Sequence, residues 1–379
     1  MARRWIPFVL VLLLLGALAA PARAIGAFGP PVSIDDPPCE FGLHNVDQAQ
    51  DASGVTHGFS TLADVGCNEA FAIRYYQGSG TSWTSEATPY RGFVVAVAWD
   101  TTGTYLLYVD VFLNLRISKR QSNGVYIQGR QLSINVGSDG SLAEGDVVAT
   151  GGRWWAVWRE HVTPGGGPGD EFDQTELFQA YTIGGTYVPR ERITSNPSWD
   201  GFPSLALTPG TTFPIRLVWK RGGSDFGAPT ESDLRRALGN QDGGWISNTL
   251  ATAGFLNTWP EVQMLGTTTY VVWNRDGRTV QANNASGSFL SHTFATPAAQ
   301  NHRPRIVVDP GHVVVGWTTP SPSSRAFVAE RVGTTWTGAT ASPAGVTRLQ
   351  LLQGVSAVGG VATATILSLG SRLYATTET

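Results

Sequence analysis

Cysteine, methionine and charge are scarce in this 379-residue chain, which has two Cys, two Met and 15% Asp, Glu, Lys and Arg. With only Cys39 and Cys67, a multi-cysteine metal framework is excluded. There is no H-E-x-x-H, no C-x-x-C, no G-x-S-x-G elbow and no glycine loop leading into a helix to cradle phosphate. The segment "GVSAVG" at 354–359 is one residue too long for the elbow, and the six histidines are scattered. A net charge of −3 gives no electrostatic case for binding nucleic acid or an anionic membrane surface. Apolar runs long enough to matter to a membrane are confined to the N-terminus.

That run has the form of a leader. Met1-Ala2-Arg3-Arg4 is a basic start, Phe8 to Ala20 is leucine-rich, and Ala22 and Ala24 have the spacing that signal peptidase reads. The pattern predicts a signal peptide over 1–24, a mature domain over 25–379 and a secreted or periplasmic protein. A membrane anchor is the other reading, but the run is short for a span. No membrane span is expected after cleavage, and no cysteine stands at the cleavage point to carry lipid. In an exported chain an isolated cysteine pair reads as a disulfide, Cys39 to Cys67, worth about 3 kcal/mol of loop entropy. Two buried free thiols are the alternative.

What the chain has in quantity is glycine (45), tryptophan (13) and repetition. "PEVQMLGTTTYVVWNRD" (260–276) returns more loosely as "PRIVVDPGHVVVGW" (304–317) and "PSLALTPGTTFPIRLVWKR" (203–221). Gly145/Trp158, Pro260/Trp273 and Pro304/Trp317 are each 13 apart, and Pro203/Trp219 is 16 apart. In an earlier unit Gly92 stands for the proline and Tyr108 for the tryptophan, so Trp99 has no counterpart. Each unit reads as two strands, the first apolar at nearly every position, as in strands buried on both faces. A hairpin phrase follows each unit, as in "LFQAYTIGGTYVPRERITS" (177–195) and "RAFVAERVGTTWTGATAS" (325–342).

Two strands plus a hairpin make four, and units of this kind that repeat along a chain build a β-propeller. Six hairpin phrases are complete. The C-terminal "TRLQLLQG", "VATATILSL" and "RLYATTET" make three strands, and "GPPVSIDD" near the N-terminus supplies a fourth. The expectation is an all-β, seven-bladed propeller of four-stranded antiparallel blades, closed by pairing of the terminal strands, with six blades as the alternative. The repeated Trp158, Trp219, Trp273 and Trp317 read as packing between blades. Trp83, Tyr126, Tyr187, Trp245, Phe289 and Trp336 read as anchors of the hairpins.

Gly80-Thr81-Ser82-Trp83 and Gly333-Thr334-Thr335-Trp336 resemble the second half of the Asp-box of sialidase-like propellers, Ser-x-Asp-x-Gly-x-Thr-Trp. Asn240-Gln241-Asp242-Gly243-Gly244-Trp245 resembles a shortened one. No box is complete. The resemblance implies the propeller fold and, as one functional option, a sialidase-like glycoside hydrolase. That family grips a carboxylate with three arginines, the first in a Phe/Tyr-Arg-Ile-Pro motif, and uses a Tyr–Glu pair with an aspartate. The corresponding region here reads "CEFGLHNVDQAQ", and "FPIR" at 213–216 has the letters in the wrong order.

Propeller ligand faces are built from the loops leading into first strands and those joining second to third. In successive units the residue before the leading Pro or Gly is Arg91, Glu144, Phe202, Trp259 and Arg303, and the one after it is Phe93, Asp146, Ser204, Glu261 and Arg305. Trp199, Asp200 and His302 stand just upstream. Arginine forks suit a carboxylate and indole faces suit sugar rings, so Arg91, Trp199, Asp200, Trp259, Arg303 and Arg305 are the expected ligand-binding residues. Asp146 and Glu261 are the candidate carboxylate pair for glycoside hydrolysis. In the long loop 159–176, Asp170, Glu171, Asp173 and Glu176 form an oxygen set of the type Ca²⁺ takes, or else a solvated loop. No other cofactor is implied.

The expected role is noncatalytic recognition of an extracellular glycan or protein surface by a monomer. A sialidase-like hydrolase is the alternative, and a structural module of a cell-envelope complex the third reading.

Overall fold

Segments rich in Val, Thr and aromatics, broken by glycine turns, become strands throughout, and no helix occurs among the described residues. The structure, a computed structural model, describes residues 32–35, 43–51, 53–62, 71–79, 82–134, 144–162, 175–208, 215–222, 232–239, 243–251, 256–284, 289–294, 304–319, 325–336, 340–341, 346–357, 360–369 and 372–377. Cys39, Cys67, Asp170, Glu171, Asp173, His302 and Arg303 lie outside these residues, as does the predicted leader.

In chain order the first strands are β1 (Val32–Asp35), β2 (Leu43–Gln50), β3 (Thr56–Leu62), β4 (Ala72–Ser79), β5 (Ser82–Asp100), β6 (Gly103–Asp110), β7 (Leu115–Gln121) and β8 (Tyr126–Ser133). Next come β9 (Gly145–Thr150), β10 (Arg153–His161), β11 (Thr175–Ile183), β12 (Thr186–Arg192), β13 (Asp200–Leu207), β14 (Ile215–Arg221), β15 (Asp233–Gly239) and β16 (Trp245–Ala251). The remainder are β17 (Asn257–Leu265), β18 (Thr268–Arg275), β19 (Arg278–Asn283), β20 (Leu290–Thr293), β21 (Arg305–Asp309), β22 (His312–Thr318), β23 (Ala326–Val332), β24 (Thr335–Trp336), β25 (Thr340–Ala341), β26 (Val346–Ala357), β27 (Gly360–Leu369) and β28 (Arg372–Thr377).

Four-stranded antiparallel sheets are the unit: β9–β12, β13–β16 and β17–β20 pair in sequence order. In the next sheet β21 to β23 pair in order, and β23 takes both short strands β24 and β25 on its outer side. The seven-stranded sheet β2–β8 is two such units sharing β5, whose first half pairs with β4 and whose second half pairs with β6. The handover is at Gly92, with φ +140°, where a Cβ would lie 1.9 Å from the Val109 carbonyl oxygen. The last sheet runs β1-β28-β27-β26, so the N-terminal strand completes the C-terminal three, Val32 opposite Ala375. β26 packs against both β21 and β2.

All-antiparallel pairing in units of four divides the molecule into two faces. One, the leading face, carries the starts of the first strands and the loops from second to third strand. The other carries the two tight turns of each unit. Buried clusters bridge neighbouring units, for example Trp155, Val157 and Leu177 with Leu205, Leu217 and Trp219. Trp158, Trp219 and Trp317 are fully enclosed and Trp273 nearly so, as the repeat predicts.

The hairpin aromatics do more than anchor their own turns, because each reaches back to the preceding unit. Trp83 packs with Ile34 and Tyr76. The Tyr126 hydroxyl donates to Glu86 at 2.6 Å, and Arg130 lies 4.1 Å over the Tyr187 ring. Trp245 Nε1 donates to Gln179 at 3.0 Å, Arg236 lies 4.6 Å over Phe289, and Trp336 stacks on His292 at 5.3 Å.

Candidate ligand-binding face

The first strands β2, β5, β9, β13, β17 and β21 line a central cavity of about 440 Å³, within the size range of small-ligand sites. At its leading-face end stands a ring of equivalent positions: Asp47, Ala96, Asp146, Ser204, Glu261 and Arg305. Most of these side chains staple their strand to the next. Asp47 Oδ2 accepts the Val97 N–H at 2.7 Å and Asp146 Oδ2 the Leu205 N–H at 2.7 Å. Ser204 Oγ takes the Val262 N–H at 3.2 Å and Glu261 Oε1 the Ile306 N–H at 3.1 Å. Ala96 has no acceptor to offer, and the next N–H, that of Val147, goes to the other oxygen of Asp146 at 2.8 Å. A bulge between Val94 and Ala96 puts Ala96, not Phe93, into the ring. Phe93 instead packs on Phe71 at 5.0 Å on the rim.

Arg305 crosses the mouth of the cavity. Its Nη1 is 3.1 Å from Glu261 and its Nη2 3.2 Å from Asp47, so it ties β21 to strands on both sides. Burial works against its charge, but Glu261 and Asp47 outweigh that and hold its pKa above the ordinary arginine value. Asp146 and Glu261, the predicted carboxylate pair, are thus engaged in joining blades.

Next to the ring, β13 and β17 share an irregularity. Their pairing shifts between Gly201 and Ser204 and between Thr258 and Glu261, each time at an aromatic-proline pair. Proline has no N–H to lose from the ladder, which suits it to a bulge. The aromatic before it adopts a left-handed backbone, φ 51° at Phe202 and 55° at Trp259. Their ring centroids lie 4.0 Å apart, and Phe202 in turn packs on Trp199 at 5.5 Å. Glu144 Oε2 holds the Phe202 N–H at 2.7 Å. Beneath, Lys220 lies 4.7 Å from the Trp199 ring and Arg159 5.3 Å from it.

Five non-glycine residues are left-handed among those described: Phe71, Leu113, Phe202, Trp259 and Asp276. All five lie on the leading face. The opposite face meets the same need with glycine, at Gly54, Gly124, Gly152, Gly185, Gly266 and Gly333 among others. A left-handed non-glycine residue costs about 1–2 kcal/mol, and such costs gather at functional sites.

The structure separates the expected binding residues. Trp259 is partly exposed on the leading face and Arg91 is exposed on the rim, its Cα opposite Ala72. Trp199 is buried. Asp200 is fully enclosed: Trp219 Nε1 (2.9 Å) and Arg221 Nε (3.1 Å) donate to its Oδ1, and Asn196 Nδ2 (2.6 Å) to its Oδ2. One blade on, Asn257 Oδ1 receives Trp273 Nε1 at 3.0 Å in the same way. Asp200 therefore latches a blade. Glu176 is buried too, accepting from Arg192 Nη2 at 2.7 Å and the Asn196 N–H at 2.6 Å. No cluster of three metal-binding side chains occurs among the described residues. Sequence reading missed Asp47 in the ring and Lys220 and Arg159 under the aromatics; the shared "FP" and "WP" pairs were the available signal.

No protein-family model and no curated protein sequence matches the chain. Its similarity to solved structures is extensive in shape. An α-L-arabinanase of Penicillium chrysogenum bound to arabinobiose superposes with a TM-score of 0.53 at 12% identity, over 93% of this chain and 98% of that one. The Aleuria aurantia lectin bound to Fucα1-6GlcNAc gives 0.52 at 12% identity, over 81% and 98%. The polysaccharide lyase Uly1 gives 0.54 at 10% identity, over 96% and 93%. At such identities shape alone is shared, and the shape is the β-propeller.

Proposed function

We propose that this chain is an exported, seven-bladed β-propeller that binds a glycan on its leading face without turning it over. The four-stranded units, with β5 shared and β1 completing the last, support the blade count, and β26 between β21 and β2 supports a closed ring. The observation that carries the binding role is the Trp259–Phe202 pair, two aromatics held left-handed on the leading face, two residues before the cavity-lining Glu261 and Ser204. An indole partly open to solvent suits a sugar ring, whose C–H face stacks while its hydroxyls meet polar groups. Arg91, Trp259 and Arg305, with Arg303, are the residues assigned to it. The arabinanase, the lectin and the lyase of similar shape are all carbohydrate proteins, which favours the same ligand class.

The noncatalytic part rests on Asp146 and Glu261. Hydrolysis needs one carboxyl to give a proton and another to attack or to activate water. Here both are committed to N–H groups of the neighbouring blade, and Glu261 also to Arg305. A glycan array screened with the purified protein, alongside a fluorogenic glycoside panel, tests the reading. Binding without turnover supports it, and turnover abolished in Glu261→Gln would replace it with a hydrolase.

A further inference from the structure

Large exposed apolar side chains are few, and five of the nine among the described residues share one rim. Phe71, Val111, Phe112, Leu113 and Ile134 are 38, 45, 75, 37 and 62% exposed. All lie on the leading face of the two units joined through β5. Asp110 pairs with Gly92, which sets Val111 beside Arg91, and Leu115 pairs with Ser133, which sets Ile134 beside Asn114. The Phe71 carbonyl accepts the Gly92 N–H at 2.8 Å, drawing Phe71 to the same edge.

The β6–β7 turn at the centre of this patch satisfies its own backbone. Asp110 Oδ1 accepts the N–H groups of Phe112 (2.9 Å) and Asn114 (3.0 Å). The Asp110 carbonyl accepts the Leu113 N–H, and the Asp110 N–H donates to the Asn114 carbonyl, both at 2.9 Å. The Asp110 charge is met by Arg116. The turn thus projects three apolar side chains while the N–H groups of residues 112–114 are already bonded, so moving it out of water leaves those donors satisfied.

We propose that this tip, centred on Phe112, inserts into the interfacial layer of a phospholipid bilayer. Valine, leucine and isoleucine offer sugar hydroxyls nothing to bond, whereas lipid accepts a convex apolar tip without a matching shape. The exposed Arg91 at its base is placed to meet lipid phosphates, so attachment does not require the net charge of the chain to be positive. No helix among the described residues is long and apolar enough to cross a membrane, so the contact is peripheral. The proposal shares Arg91 and the leading face with the glycan reading; Phe112, which that reading does not use, separates the two.

Co-sedimentation of the purified mature chain, residues 25–379 without the apolar leader, with phosphatidylcholine vesicles tests it. Wild type is expected to pellet with vesicles, and Phe112→Asp to bind at least about tenfold more weakly, the scale of one phenyl ring returned to water. Val125→Asp, also at an exposed apolar residue but on the other face, is expected to bind like wild type. A melting curve checks that both variants fold. Absence of vesicle binding by wild type, or equal binding by Phe112→Asp, overturns the proposal. So does a monomer–dimer equilibrium in sedimentation that Phe112→Asp abolishes, which would make the patch an interface between copies.

Discussion

Phe202 and Trp259 stand in two different sheets, yet their rings meet at 4.0 Å and both hold a left-handed backbone. Each precedes a proline, a position that ordinarily favours extended backbone. Propeller turns have a relaxed answer to such geometry, glycine, and this chain uses it throughout the opposite face and at Gly222 and Gly277 on the leading face. Large side chains hold left-handed positions only on the leading face, at a cost in stability.

The first prediction follows from that cost. Leu113 has φ 63° and contributes an exposed side chain. Leu113→Gly is expected to raise stability by about 1 kcal/mol in urea unfolding, while weakening vesicle binding. Leu113→Val, whose branched side chain tolerates this backbone worst, is expected to lower stability.

Asp200 gives the second. Asp200→Ala leaves the buried Trp219 indole N–H and the Arg221 guanidinium without their acceptor, a loss of about 3–5 kcal/mol. Asp200→Asn keeps an Oδ1 acceptor for Trp219, as Asn257 does for Trp273, but sets its NH2 against the Asn196 Nδ2 donor, and is expected to cost less than Asp200→Ala, about 1–3 kcal/mol. Urea unfolding of the pair distinguishes a latch from a ligand contact, since glycan affinity should change little in Asp200→Asn.

The β1–β28 pairing, on which the proposed ring closure depends, gives the third. Ile34 on β1 is buried with Val46 and Tyr76, so the N-terminal strand is part of the core. Ile34→Asp buries a charge without a partner and is expected to cost about 3–5 kcal/mol, against about 1 kcal/mol for Ile34→Val. Equal, small effects would show that β1 does not close the ring.

The fourth concerns pH. Burial lowers the His57 pKa, and Arg120 acts in the same sense, together outweighing Asp51; burial alone lowers His292. An unfolded histidine titrates near pKa ~6.5. With folded values below that, the unfolded chain binds more protons as the medium acidifies. Stability from this source is therefore complete above about pH 6.5 and lost as pH falls through the folded values. The urea midpoint should decline from pH 7 to 5 in wild type and flatten in a His57→Gln, His292→Gln double variant.

Much of the architecture was legible because each blade demands the same packing. The proline or glycine, the apolar first strand, and the tryptophan or Tyr108 of the second recur wherever a blade must bury both faces. The β1–β28 pairing was readable as three C-terminal strands lacking a fourth. The face was legible too, since strand direction alone decides which loops share it. Individual roles were not. Trp199 and Trp259 look alike in sequence, but one is buried against Arg159 and Lys220 while the other opens to solvent. Asp200 reads as a loop carboxylate, and only the fold brings the Trp219 indole N–H to it. Phe93 was aligned into the ring because a bulge of one residue leaves no trace in a pattern of small β-formers. The left-handed aromatics had only the following proline to mark them.

Trp259 is where the account is most exposed to test. For the glycan selected on an array, titration calorimetry of wild type and Trp259→Ala measures its share of the binding. Loss of stacking by one ring is expected to weaken affinity by roughly ten- to a hundredfold, with folding unchanged by circular dichroism. An affinity equal to wild type would contradict recognition at the leading face.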